Sequence, residues 1–224
     1  GLYKMVYIFN VEGNIGSGKS TLVRILEKEL KSINSIPIVY VQEPVDEWST
    51  IKDKNGETIL EKFYNDQYKY AFSFQMMAYI SRLSLVKQII RDNPNAIIIC
   101  ERSVFTDKEV FAKMLYDDGK IEEVNYQIYL KWFDEFIDDI PVSGIIYVNT
   151  SPENSKSRVD FRARQGEDIP LEYLEKCHNY HNNWLADSSE IIFNFDGNNN
   201  FRDNITTQSI DNIKDFINQI ISSK

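Results

Sequence analysis

The segment Gly13-Asn14-Ile15-Gly16-Ser17-Gly18-Lys19-Ser20 is the strongest constraint on what this chain can fold into. It matches GxxxxGK[ST] and lies between a β-rich apolar run and a stretch of helical spacing, the context in which such a loop wraps phosphate oxygens. Its glycines let the backbone approach the phosphates closely. The N-terminus of the following helix, continuing through Thr21, adds unpaired N–H groups and a partial positive charge. Lys19 contributes a mobile cation, and the Ser20 hydroxyl suits Mg²⁺. Taken alone, the loop leaves GTPase, ATPase and small-molecule kinase open.

Around the loop, two kinds of segment alternate. Strands are predicted over residues 6–11, 36–42, 96–100, 144–149 and 191–195, and helices over 19–31, 68–91, 106–117, 122–138, 152–162, 171–187 and 204–221. Near-continuous apolar strands require cover on both faces, so the pattern predicts a three-layer α/β/α domain with a five-stranded parallel sheet. Pro152 and Pro170 suit first helical turns, and Ser151 is a candidate cap. With 42% hydrophobic residues in 224, one domain over 1–224 is expected.

The formal charge of -9 argues against a nucleic-acid polymer or an anionic membrane as partner, while a local pocket can still bind small phosphates. Cys100 and Cys177 form no paired spacing, which disfavours a disulfide framework or zinc knuckle and fits a reducing compartment. Apolar runs fall well short of the roughly 18 residues of a membrane span. A cytoplasmic location is expected, with organellar targeting left open by a start at Gly1 rather than Met.

The charged ends of the second and third strands point to chemistry. Glu43 follows the second strand in Gln42-Glu43-Pro44-Val45-Asp46-Glu47-Trp48, at the carboxyl edge where open α/β sheets bind ligands. Pro44 keeps Glu43 out of helix and aims it into the crevice, where Trp48 can cover a flat substrate. The third strand ends in Cys100-Glu101-Arg102-Ser103, which reads either as a site or as a structural ion pair.

Together, Gly13–Ser20, Glu43–Trp48, Phe74-Gln75, Glu101-Arg102-Ser103 and the stretch 158–184 resemble the deoxycytidine/deoxyguanosine kinase family over nearly the whole chain. The resemblance implies a P-loop kinase fold and transfer of the ATP γ-phosphoryl group to the 5′-hydroxyl of a deoxyribonucleoside in nucleotide salvage. It implies Glu43 as the base, Arg102 as its orienting partner, and Glu101 with Ser20 as Mg²⁺ ligands. An Arg-rich LID over about 158–168 follows from the same resemblance, with Arg158 and Arg162 on one helical face reaching the phosphates and Gly166 as a hinge. Glu167 and Tyr64 are implied for the deoxyribose 3′-hydroxyl, and Asn199, Asn200 and Phe201 for the ATP base. The family also implies a homodimer.

For the acceptor base, the resemblance assigns Trp48, Phe74, Gln75 and Phe111, of which the Gln75 amide can pair with cytosine or adenine edges. Arg82 and Asp107 register with family members that take deoxycytidine and deoxypurines. An ionised Asp107 accepts from an exocyclic amino group and repels thymine O4, and Ala78 leaves room nearby, so deoxyadenosine, deoxycytidine or deoxyguanosine is expected ahead of thymidine.

His178 and His181 lack further ligands for a metal, Cys177 reads as a packing residue, and the aromatic face of 122–138 reads as core or dimer interface. Rival readings are a thymidylate or other nucleoside monophosphate kinase and a non-catalytic nucleotide-binding subunit.

Overall fold

The computed structural model describes residues 6–138, 140–163 and 168–223. In chain order its elements are β1 (Tyr7–Glu12), α1 (Lys19–Glu29), β2 (Ser32–Ile33), β3 (Ile36–Val41), α2 (Val45–Trp48), α3 (Ile59–Asn65), α4 (Gln67–Asp92), β4 (Ile97–Glu101) and α5 (Val104–Thr106). A π-helical stretch, Asp107–Ala112, leads into α6 (Lys113–Asp117), then α7 (Glu123–Ile137), β5 (Gly144–Asn149), α8 (Pro152–Arg162), α9 (Leu171–Asp187), β6 (Ile192–Asp196), α10 (Phe201–Asn204) and α11 (Thr207–Ser222).

The sheet runs β2-β3-β4-β1-β5-β6. The five expected strands are all parallel to one another, but the sheet has six strands and is mixed, because Ser32–Ile33 folds back antiparallel on β3. Two residues are too few to show periodicity, and the turn at Asn34 and Ser35, both at positive φ, makes this edge hairpin. β1 is buried along its whole length. Its Phe9 and Val11 pack with Leu22 and Leu26 of α1 and Ile217 of α11, while Ile8 packs with Val86 of α4 on the opposite face. Alternate side chains point to opposite faces, so one strand needs both helical layers.

Three helical predictions need correction. The helix expected at 106–117 is interrupted by the π-helical stretch. That expected at 204–221 is α11, which begins only at Thr207, where the Thr206 side chain caps it, and the short α10 just before it was not anticipated. Between β3 and α4, α2 and α3 were not anticipated, although Thr58 and Glu61 form a reciprocal capping box at the start of α3. Among the described residues no helix is long and apolar enough to cross a membrane.

Candidate active site

A cavity of about 750 Å³ opens at the carboxyl ends of β1, β3 and β4, where the chain switches from one side of β1 to the other. The phosphate loop forms one wall. Gly18 has φ 104°, and a Cβ there would lie 2.6 Å from Phe201 Cζ, so only glycine fits between loop and ring. Ile15, Gly16, Gly18, Lys19, Ser20 and Thr21 line the cavity. Gly13, Asn14 and Ser17 lie behind them. Asn14 donates from Nδ2 to the Leu174 carbonyl at 2.8 Å and accepts from Ile15 N at 2.8 Å, tying the loop to α9.

Lys19 Nζ donates to the Asn14 carbonyl at 2.6 Å. Burial, with Arg102 nearby, pushes its ammonium down to about 7, and Glu43, Glu101 and Glu12 oppose the shift. An anion in the cavity would restore the charged form.

Glu43 and Arg102 meet here. Glu43 Oε1 lies 3.0 Å from Arg82 Nη2 and 3.7 Å from Arg102 Nη1. Burial pushes the Glu43 carboxyl up, but Arg102, Arg82 and Lys19 outweigh it and hold the group at about 2. It is therefore ionised at neutral pH. Arg102 occupies a left-handed backbone conformation at φ 63°, donates from Nη2 to the Gly13 carbonyl at 3.0 Å, and lies 4.8 Å from the Phe111 ring centre.

Glu101 lines the cavity and accepts from the Glu43 backbone N–H at 3.4 Å. Ser20 and Glu101 provide a hydroxyl and a carboxylate at one cavity, a hard-oxygen set that fits Mg²⁺ completed by substrate oxygens. Among the described residues there is no cluster of three or more His, Cys, Asp or Glu able to hold a metal without a substrate.

One half of the cavity is aromatic. Phe74 stacks on Phe63 at 4.6 Å and meets Trp48 edge-on at 5.5 Å, with Trp48 anchored by its Nε1–H to Ser81 Oγ at 2.8 Å. Tyr64, Gln75, Asp107 and Phe111 join them around the cavity. Gln75 Oε1 is buried without a hydrogen-bond partner, and an unpaired amide in a polar cavity is costly unless a ligand satisfies it. Asp107 and Phe111 both belong to the π-helical stretch, a distortion that recurs at functional sites.

Arg82 is not among the cavity-lining residues. It sits behind the wall, giving Nε to Asp107 Oδ2 at 2.9 Å and Nη2 to Glu43 Oε1 at 3.0 Å. Gln75 and Arg82 share a face two turns apart on α4, but the second guanidinium nitrogen reaches the carboxylate of β3's end rather than open space. Burial pushes Asp107 up while Arg82 opposes it.

On the phosphate-loop side, Arg158 gives Nη1 to the Ser17 carbonyl at 2.8 Å and Nη2 to the Gly197 carbonyl at 2.6 Å, and lies 5.8 Å from the Phe201 ring centre. Arg158, Arg162, Asn200 and Phe201 line the cavity, whereas Asn199 is held by Asp196 through its Nδ2 at 3.1 Å and is not part of the lining. Gly166 and Glu167 lie outside the described residues, as does the middle of the expected LID.

Several lining residues escaped the sequence reading: Phe63, Tyr173, Arg24, Phe161 and Arg202. Arg24 was accessible in principle, one turn along α1 from Ser20. His181 is buried, with Nδ1 on the Cys177 carbonyl at 2.7 Å, and burial together with Arg102 pushes it down to about 3, so it belongs to the core. Glu12, fully buried at the end of β1, was passed over although it follows an apolar strand run as Glu101 does; its buried partners are what the sequence does not show.

Known proteins resemble this chain in sequence. The chain is 36% identical over 222 residues to the probable deoxycytidine kinase of fowlpox virus (strain NVSL), covering 94% of this chain and 88% of the relative. It is 31% identical over 242 residues to deoxycytidine kinase of Homo sapiens, covering 94% and 91%. Mitochondrial deoxyguanosine kinase of Xenopus laevis is 30% identical over 204 residues, covering 82% and 75%. The family model for deoxynucleoside kinases matches residues 9–222, and with the phosphate loop, the strand-end carboxylates and the aromatic pocket gathered on one cavity, the chain belongs to the deoxynucleoside kinase family.

Proposed function

We propose that the chain transfers the γ-phosphoryl group of ATP to the 5′-hydroxyl of a deoxyribonucleoside whose base carries an exocyclic amino group, deoxyadenosine, deoxycytidine or deoxyguanosine ahead of thymidine. The observation that carries this reading is the ionised Glu43 in one cavity with Lys19 and Arg102, beside a pocket of Trp48, Phe74 and the unpaired Gln75 Oε1.

Glu43 accepts the hydrogen bond of the 5′-hydroxyl and takes its proton as the new O–P bond forms. A carboxylate held near 2 is a weak base, which suits a loose transition state in which the nucleophile needs alignment more than early deprotonation. Lys19, Arg102, Arg158 and Arg162 offset charge on the phosphoryl oxygens. Ser20 and Glu101 would hold Mg²⁺, which neutralises phosphate charge when bound. Tyr64, with Glu167, takes the sugar 3′-hydroxyl, while Asn200 and Phe201 flank the ATP base.

Base choice follows from Asp107, whose carboxylate accepts from an amino group and repels the thymine O4. Incubation with Mg-ATP and each nucleoside or monophosphate, following ADP, checks both claims. Thymidine turnover equal to that of the other three would remove the selectivity, and turnover confined to monophosphates would remove the reaction.

The proposed assembly is a homodimer. On α7, Val124, Ile128, Trp132 and Phe136 recur every fourth residue and are 66%, 39%, 42% and 46% exposed, while Tyr129 and Phe133 turn into the core. An apolar stripe on a helix packed only on its other side marks an association face. Trp132→Glu is expected to yield monomers by sedimentation equilibrium with ATP binding intact. Two buried free thiols suit the reducing cytoplasm as its location.

A further inference from the structure

Glu12 is the last residue of β1 and is completely buried. The Ser103 and Thr106 hydroxyls donate to its Oε1 and Oε2, respectively. Its neighbours in sequence hold the same segment: the Val11 carbonyl accepts from Arg102 N at 2.8 Å, and the Gly13 carbonyl accepts from Arg102 Nη2 at 3.0 Å. Three consecutive residues at the mouth of the phosphate loop thus bind the backbone N–H of Arg102, its guanidinium, and the two hydroxyls that follow it.

That convergence has a target. Arg102 is in the left-handed region at φ 63°, an uncommon conformation for a residue with a side chain, and such a conformation persists only where its surroundings over-determine it. Upstream, the β1–β4 ladder fixes the strand up to Glu101. Downstream, Ser103 opens α5 as its N-terminal flanking residue without a side-chain cap, because its hydroxyl is committed to Glu12 instead. A carboxylate buried only for stability would be better replaced by packed apolar groups, so its place here calls for a positional role.

We propose that Glu12 is a positioning residue for phosphoryl transfer: by clamping Ser103 and Thr106 to the phosphate-loop strand, it holds the left-handed turn that presents the Arg102 guanidinium to Glu43 and the transferring group. The inference rests on the role given above to Arg102. Glu12 itself does not line the cavity and touches no substrate. A displaced Arg102 would disturb the aligned transition state while leaving the ATP site assembled.

Glu12→Ala is expected to lower kcat by up to about 10²-fold, the scale of a misplacement near 1 Å, with KM for ATP little changed. Arg102→Ala should cost about 10²–10³-fold in the parent, and Glu12→Ala should add little in the Arg102→Ala background, since it acts through that guanidinium. Glu12→Gln keeps shape and an acceptor oxygen and should recover part of kcat. If Glu12→Ala does not fold, Ser103→Ala and Thr106→Val each delete one clamp bond, and their losses should show the same non-additivity with Arg102→Ala. Losses that multiply independently, or a Glu12→Ala enzyme with parental kcat beside a crippled Arg102→Ala, would overturn the inference alone. A parental kcat in Arg102→Ala would instead overturn the role of Arg102 and the inference with it.

Discussion

Glu43→Gln is expected to lower kcat by about 10²–10⁴-fold, the range for a positioned general base, with ADP and ATP binding close to the parent. The substitution keeps the shape and leaves a carbonyl oxygen where Oε1 now accepts from Arg82 at 3.0 Å. It removes the charge that three cations hold ionised, and with it the acceptor for the 5′-hydroxyl proton. Because Lys19, Ser20 and the loop are untouched, the loss should fall on turnover rather than on the KM for ATP. Steady-state kinetics with deoxycytidine, alongside ADP titration, decide it. A variant with parental kcat would show that the alcohol loses its proton elsewhere.

Removing Asp107 should produce the largest change in stability. Asp107→Ala deletes the 2.9 Å partner of a nearly buried guanidinium, and breaking a buried pair from one side costs about 3–5 kcal/mol. Glu43 still offers Arg82 an oxygen at 3.0 Å, which places the loss near the lower end. For a domain of this size that is a fall in Tm of about 6–12 °C. The double variant Arg82→Leu with Asp107→Ala removes both charges and should recover much of the stability, since apolar replacement of a buried pair is often neutral. Its base selectivity should relax with it. The ratio of kcat/KM for deoxycytidine over thymidine is expected to narrow on the order of 10²-fold, as the pocket no longer opposes thymine O4 with a carboxylate. Calorimetry and kinetics on the four nucleosides test the two halves separately. Equal melting losses in the single and double variants would remove the argument that Arg82 depends on Asp107.

The same residues show what could be read from the chain. Lys19 and Ser20 were legible because their chemistry comes from neighbours within eight residues, and Glu43 and Glu101 because an apolar run announces a strand and its end. Glu12 also stands at a strand end, but what sets it apart, its hydroxyl partners, lies 91 and 94 residues away. The π-helical turn was invisible for a related reason, since inserting one residue into a helical repeat leaves apolar spacing nearly intact while moving Asp107 and Phe111 around the axis.

Sequence by itself determined the phosphate loop, the parallel strands, the order of the charged strand ends and, through them, the family, because each depends on contiguous residues and short-range periodicity. Tertiary structure alone decided that Arg82 joins Glu43 to Asp107 across 39 and 25 residues, that Glu12 clamps the turn at Arg102, and that the aromatic face of α7 divides between core and surface. Partnership between distant side chains depends on strand register and helix packing, and an ionisable group takes its chemical character from those partners and from burial.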